Sequence, residues 1–231
     1  MCGIAGFVGK TSKLHLTNML AMIKHRGPDG EGLYWNQKAG LGNRRLAIID
    51  RKGGAQPQTN EDKTLIITYN GEIYNFQSIR NALQKRGHTF RTKSDTEVIL
   101  HAYEQYGPEC LKKFNGMFAF AIWDSEREML FAARDRLGIK PFFYTKTQNN
   151  FLFASEIKSL LTHPEVKRDV NFASLSSYLT FRYVPEPNTM FKNIYHLPAG
   201  HYLILKRGNL SISRYWKLPE GEMEPVSEKQ V

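Results

Sequence analysis

The chain has 231 residues, 41% hydrophobic, 12% aromatic and 23% charged, so it can bury a substantial core in one large domain or two small ones and is not a disordered chain. No apolar run approaches the roughly 18 residues that cross a bilayer. No charged stretch precedes an apolar one as in a secretory signal, and two cysteines build neither a disulfide framework nor a multi-cysteine metal site, so the simplest compartment is the cytosol.

The net charge of +10 reads as a solvated basic surface, with nucleic acid the weaker alternative. In chain order, Cys2–Gly9 reads as a strand ended by glycine, followed by a helix over Leu14–Ile23 with Leu16, Met19, Leu20 and Ile23 on one face. A breaker-rich loop, His25-Arg26-Gly27-Pro28-Asp29-Gly30, comes next. Strands are expected at Leu33–Trp35, Leu46–Ile49 and Leu65–Tyr69, then a helix over Phe76–Arg86 stopped by Gly87. Ser94-Asp95-Thr96-Glu97 fits a capping box opening a helix that runs to Tyr106, before Gly107-Pro108. Met117–Asp124 and Glu128–Arg134 form a predicted hairpin, with strands again at Phe142–Thr145 and Phe151–Ala154. Short helices at Glu156–Leu161 and Phe172–Leu179 precede a second hairpin, His201–Lys206 with Leu210–Trp216. Strands outnumber helices and follow one another directly, which argues for an α+β fold with mainly antiparallel sheets. From Pro219 the composition turns to Glu, Pro, Gly and Ser, as in a linker, so the folded unit is expected to be residues 1–218 and the linker 219–231.

Cys2 is the residue that carries chemistry. Removal of Met1 would give one residue both a thiol and a free α-amine, whose ordinary pKa near 7.7–8.0 suits proton transfer near neutrality. An amine beside a thiol can activate it as a nucleophile. Gly3 and Gly6 allow close backbone approach beside it. Cys110 reads as a small buried hydrophobe, and Phe114–Trp123 as a core strand rather than a base-stacking platform. The seven histidines have no metal-ligand spacing, and no metal site is expected.

Met1-Cys2-Gly3-Ile4-Ala5-Gly6 resembles the start of a class II, N-terminal-nucleophile (Ntn) glutamine amidotransferase. His25–Gly30, Arg45–Asp50, Tyr69–Asn75, Ser94–Ile99, Asn115–Phe120, Arg134–Pro141, Ala154–Lys158 and Leu197–Tyr202 are similar, in order, to the glutaminase half of glutamine-hydrolysing asparagine synthetase of the B type. The resemblance implies an Ntn-hydrolase-like four-layer αββα sandwich with two mainly antiparallel sheets. It implies glutamine as substrate, Cys2 as nucleophile with its α-amine as proton carrier, and an oxyanion hole from the Asn70 amide and the Gly71 N–H. By the same resemblance Arg45 takes the α-carboxylate, a match for a planar guanidinium, and Asp95 the α-ammonium. Glu72 and the backbone of Ile48 and Ile49 line the same pocket. The Arg26-Gly27 loop either supports Cys2 or is a plain turn.

Attack by Cys2 would release ammonia and leave a γ-glutamyl thioester for water to hydrolyse, with neither metal nor organic cofactor. The family resembled carries a second, ATP-using synthetase domain, to which ATP and magnesium would belong; its Ser-Gly-Gly-x-Asp-Ser loop is not found in these residues. The expected partners are therefore L-glutamine and a synthetase domain or separate protein that accepts ammonia, with a homodimer also open and neither nucleic acid nor membrane involved. The competing readings are the glutaminase unit of another class II amidotransferase and a catalytically silent binding module.

Overall fold

A computed structural model describes residues 1–219. Its strands are β1 (Gly3–Gly9), β2 (Gly30–Trp35), β3 (Ala39–Arg45), β4 (Gln58–Thr59), β5 (Leu65–Ile73), β6 (Gly116–Asp124), β7 (Met129–Arg134), β8 (Phe143–Lys146), β9 (Asn150–Ala154), β10 (Ile194–His196), β11 (His201–Lys206) and β12 (Asn209–Arg214). The helices are α1 (Lys13–Met22), α2 (Phe76–Gln84), α3 (Asp95–Tyr106), α4 (Ile157–Leu160) and α5 (Phe172–Phe181). One sheet has the order β10-β8-β9-β1-β3-β2 and the other β12-β11-β7-β6-β5-β4. Neighbours within both sheets pair antiparallel.

The layer order follows from side-chain alternation along the strands. On β6, Ala119, Ala121 and Trp123 pack into the space between the sheets, against Ile4, Ala39, Leu41 and Phe153. The intervening Phe118, Phe120 and Ile122 face the other way, onto Val98, Ile99, Ala102 and Tyr103 of α3 and Leu83 of α2. On the far side of the first sheet, Ala5, Phe7 and Leu152 meet Leu16, Met19 and Leu20 of α1 and Leu160 of α4. Both sheets are covered on both faces, giving the expected αββα order. That double burial is why β6 reads as a near-continuous apolar run although it is antiparallel.

Three details correct the sequence expectation. Leu46–Ile49 is a loop, not a strand, and the strand lies just before it, in glycine-rich β3. Strand propensity disfavours Ala-Gly-Leu-Gly, but the packing requires it. A Cβ at Gly40 would lie 2.4 Å from Phe7 Cε1, and one at Gly42 2.6 Å from Leu20 Cδ1. The capping box is half formed: the Ser94 hydroxyl accepts from the Glu97 N–H, but the Glu97 carboxylate reaches past Ser94 to the N–H groups of Arg91 at 2.8 Å and Thr92 at 2.7 Å. The two-residue β4 and three-residue β10 are too short to leave a periodic signal. The linker expected over 219–231 lies, beyond Pro219, outside the described residues.

Candidate active site

Cys2 is placed by the residues around the start of β1. The Ile4 N–H donates to the Ser155 hydroxyl at 2.9 Å, and the Ser155 N–H donates back to the Ile4 carbonyl at 2.8 Å. Arg26 Nε donates to the Cys2 carbonyl at 3.1 Å while its Nη1 donates to Glu156 Oε1 at 2.9 Å. This resolves the two readings of Arg26-Gly27 in favour of support for Cys2. Gly27 is needed for it, because a Cβ there would lie 2.3 Å from the Arg44 carbonyl. The half-buried Cys2 thiol accepts from the Leu46 N–H at 3.3 Å, and burial pushes its pKa up. The Cys110 thiol is fully buried and raised much further by burial, which leaves it a small apolar side chain.

Cys2, Arg45, Ile48, Ile49, Asn70, Gly71, Glu72 and Asp95 all line one cavity of about 130 Å3. Arg45, the last residue of β3, spends three hydrogen bonds on its own loop, donating to the carbonyls of Ile49 at 3.2 Å, Asp50 at 2.7 Å and Arg51 at 3.0 Å. Asp29 holds the same loop through the Ala47 N–H at 2.9 Å. These side-chain bonds explain why the apolar run Leu46–Ile49 does not become a strand. Arg44 points the other way, to the Leu20 carbonyl and Glu31.

Asn70 and Gly71 sit towards the C-terminal end of β5, opposite Ala119 and Phe118. The Phe118 N–H donates to the Asp135 carboxylate and its carbonyl accepts from the Asp135 N–H, both on the β7 side. Gly71 and Phe118 are therefore a non-hydrogen-bonded pair, and the Gly71 N–H points away from β6. Neighbouring odd-numbered residues agree: the Tyr69 N–H donates to Gln56 Oε1 at 2.7 Å and the Ile73 N–H to Asp95 Oδ2 at 3.1 Å on that same edge. Strand β4 pairs only with Ile66 and Ile67, so the Gly71 N–H faces the cavity beyond its end. A side chain at Gly71 would collide with the Met117 carbonyl, at 2.3 Å from a Cβ. Asn70 is 1% exposed, and its amide nitrogen has no hydrogen-bond partner among the described residues. A buried N–H2 left open costs stability, and Asn70 is one of the residues that line the cavity.

Asp95 opens α3 and is 4% exposed. Its Oδ2 accepts from the Tyr69 hydroxyl at 2.8 Å and the Ile73 N–H at 3.1 Å. Burial raises its pKa, with those two bonds opposing the shift. Tyr69, fully buried beside this carboxylate, has its pKa raised well above the usual phenol value.

Sequence reasoning missed Lys140, which lines the cavity at 4% exposure with its ammonium 3.1 Å from Met1 Sδ. Burial and Arg26 both push its pKa down. The motif Arg134–Pro141 carried the signal, since it delivers this lysine. Asp135 accepts from the N–H groups of Leu137, Ile139 and Lys140, and Arg134 donates to the carbonyls of Gly138, Lys140 and Leu197. The site thus combines a thiol at the chain start, two open N–H donors, a buried carboxylate and a guanidinium around one small cavity.

A family model described as glutamine amidotransferase domain matches residues 1–216. Asparagine synthetase [glutamine-hydrolyzing] 3 of Bacillus subtilis is 42% identical over 226 residues, covering 94% of this chain and 37% of the relative. A putative asparagine synthetase [glutamine-hydrolyzing] 2 of Methanocaldococcus jannaschii is 38% identical, covering all of this chain and 49% of the relative. The chain thus spans between about a third and a half of the length of these relatives. Among solved structures, the allosteric regulatory enzyme of purine biosynthesis superposes with a TM-score of 0.71 at 19% identity, covering 93% of this chain and 49% of that one, which supports the fold.

Proposed function

The chain belongs to the glutamine amidotransferase domain family, and on that premise we propose that it hydrolyses the side-chain amide of L-glutamine in the Cys2 cavity. Removal of Met1 frees the α-amine of Cys2, which takes the thiol proton as Sγ attacks the amide carbon. The oxyanion that develops is met by the Asn70 amide N–H and the Gly71 backbone N–H, fixed donors that need no reorganisation as the charge forms. The amine returns its proton to the leaving nitrogen, ammonia departs, and water hydrolyses the γ-glutamyl thioester to glutamate. At the far end of the substrate, Asp95 takes the α-ammonium and Arg45 the α-carboxylate, with Glu72 and the Ile48–Ile49 backbone closing the pocket. The observation that most supports this reading is the open donor pair on β5, because two uncommitted N–H groups beside a thiol suit a tetrahedral anion.

The relatives' names point to the use of the ammonia: it passes to an acceptor domain or partner protein that makes asparagine. The test is ammonia and glutamate release by the purified chain beside Cys2→Ala. Wild type releases both in equal amounts and the variant neither; equal rates would overturn the assignment.

A further inference from the structure

The gap between α3 and the end of α2 gathers a second set of ligating side chains, none of which lines the Cys2 cavity. Helix α2 closes with the His88 N–H donating to the Leu83 carbonyl at 3.2 Å and the Gly87 N–H to Gln84 at 3.0 Å, with Gly87 at φ +95°. This Schellman closure turns the chain back and sets the His88 ring beside His101, at 5.2 Å between ring centres. Glu104, one turn beyond His101 on α3, lies between the two rings. Its Oε2 is 3.0 Å from His101 Nδ1 and 3.5 Å from His88 Nδ1. A tetrahedral ion with ligands at about 2.0–2.1 Å spaces them about 3.3 Å apart, so both edges bracket that figure.

The outward atoms of Glu104 and His88 are already committed in the sense that ligation requires. Glu104 Oε1 accepts from the Asn60 amide at 3.1 Å, which leaves Oε2 free to turn inward. His88 Nε2 lies 3.0 Å from Gln105 Oε1, an acceptor that fixes the proton on Nε2 and the lone pair on Nδ1. His101 is 1% exposed, and its Nε2 has no hydrogen-bond partner among the described residues. The nearest acceptors are Glu61 Oε1 at 3.6 Å and Glu97 Oε1 at 3.9 Å. Carboxylates and amides behind ligating imidazoles are the usual outer partners of a metal site. Without an ion, the buried His101 ring is faced by three carboxylates, Glu61 and Glu97 at Nε2 and Glu104 at Nδ1. With one, the dication offsets that negative charge.

We propose that His88, His101 and Glu104 form a binding site for a divalent transition-metal cation of the zinc type, with solvent completing its coordination. Two imidazoles and one carboxylate suit zinc, nickel or cobalt and not magnesium or calcium. All three ligand atoms lie within 4.8 Å of one another, and the partly exposed His88 ring has freedom to close the remaining distance. The sequence signal is weak because the two histidines stand 13 positions apart, a spacing that belongs to no metal motif.

The site is tested by calorimetric titration of zinc chloride into the untagged, chelator-treated chain carrying Cys2→Ala, so that the cavity thiol does not compete. Cobalt chloride, read by its visible absorption, serves as the second probe. The expected result is one equivalent of zinc bound, with affinity at least about tenfold weaker after His88→Ala and after Glu104→Gln. Both substitutions are at partly exposed side chains and leave the buried His101 in place. Absence of one-equivalent binding, or binding that neither substitution weakens, would overturn the proposal.

Discussion

At the residue scale the proposed roles of Asn70 and Asp95 differ, and their substitutions should fail differently. Asn70→Ala removes one of the two open donors, so we expect kcat to fall about 10²–10³-fold with KM little changed. A change confined to KM would contradict that role. Asp95→Asn removes the charge proposed to pair with the substrate ammonium. KM for glutamine should rise about 10- to 100-fold, the equivalent of about 1.5–3 kcal/mol for a hydrogen bond to a charged group. The same substitution should stabilise the fold at neutral pH. Burial raises the Asp95 pKa above its unfolded value, so folding favours the protonated form. The resulting penalty is absent below the unfolded pKa of about 3.9. It grows as pH rises through the folded pKa and is constant above it. The melting temperature of Asp95→Asn should therefore exceed wild type at pH 7, and that margin should shrink at acid pH; a variant no more stable at pH 7 contradicts this account. These two residues are legible in the sequence because each sits in a short motif. Lys140 is harder to read, because nothing local separates a buried lysine from the chain's many exposed ones.

At the element scale, the first turn of α3 ties stability to binding. Ser94 caps the helix through the Glu97 N–H and meets the Gln58 amide at 3.1 Å, with Asp95 directly following. Ser94→Ala should cost about 1 kcal/mol in urea unfolding and also raise KM for glutamine, because the helix start that aims Asp95 loosens. A stability loss with unchanged KM would separate cap from site. The serine half of this cap is readable from the sequence; the reach of Glu97 back to Arg91 and Thr92 is not, since it depends on how the preceding loop folds. Strand β3 is the other case. Gly40 and Gly42 are there for the bulk of Phe7 and Leu20 across the interface, and no local pattern in residues 39–45 reveals those neighbours. Gly42→Val should destabilise by about 1–3 kcal/mol through overpacking. An unfolding midpoint equal to wild type would show that α1 yields freely.

On the scale of the whole molecule, both antiparallel sheets contribute to the site: the first brings Cys2 just before β1 and Arg45 at the end of β3, the second Asn70 and Gly71 of β5, beside the packed Ala119 of β6. Polar ties cross between the sheets beside the cavity. The Thr68 hydroxyl donates to the Gly42 carbonyl at 2.9 Å and the Asn43 amide to the Tyr69 carbonyl at 3.1 Å. The α+β class with antiparallel sheets is readable from the order of the elements, and the layer order from the family resemblance, but these buried ties are not, because their partners are 26 residues apart. No described helix is long and apolar enough to cross a membrane.

The account rests on a Cys2 thiol that has its own free amine. Its most direct test is intact-protein mass spectrometry of the purified chain, rapidly acid-quenched during turnover of glutamine and then mapped by peptide. The predicted result is loss of Met1 and one γ-glutamyl group carried on Cys2. Glutamine turnover by a chain that retains Met1, or an adduct on any other residue, would contradict it.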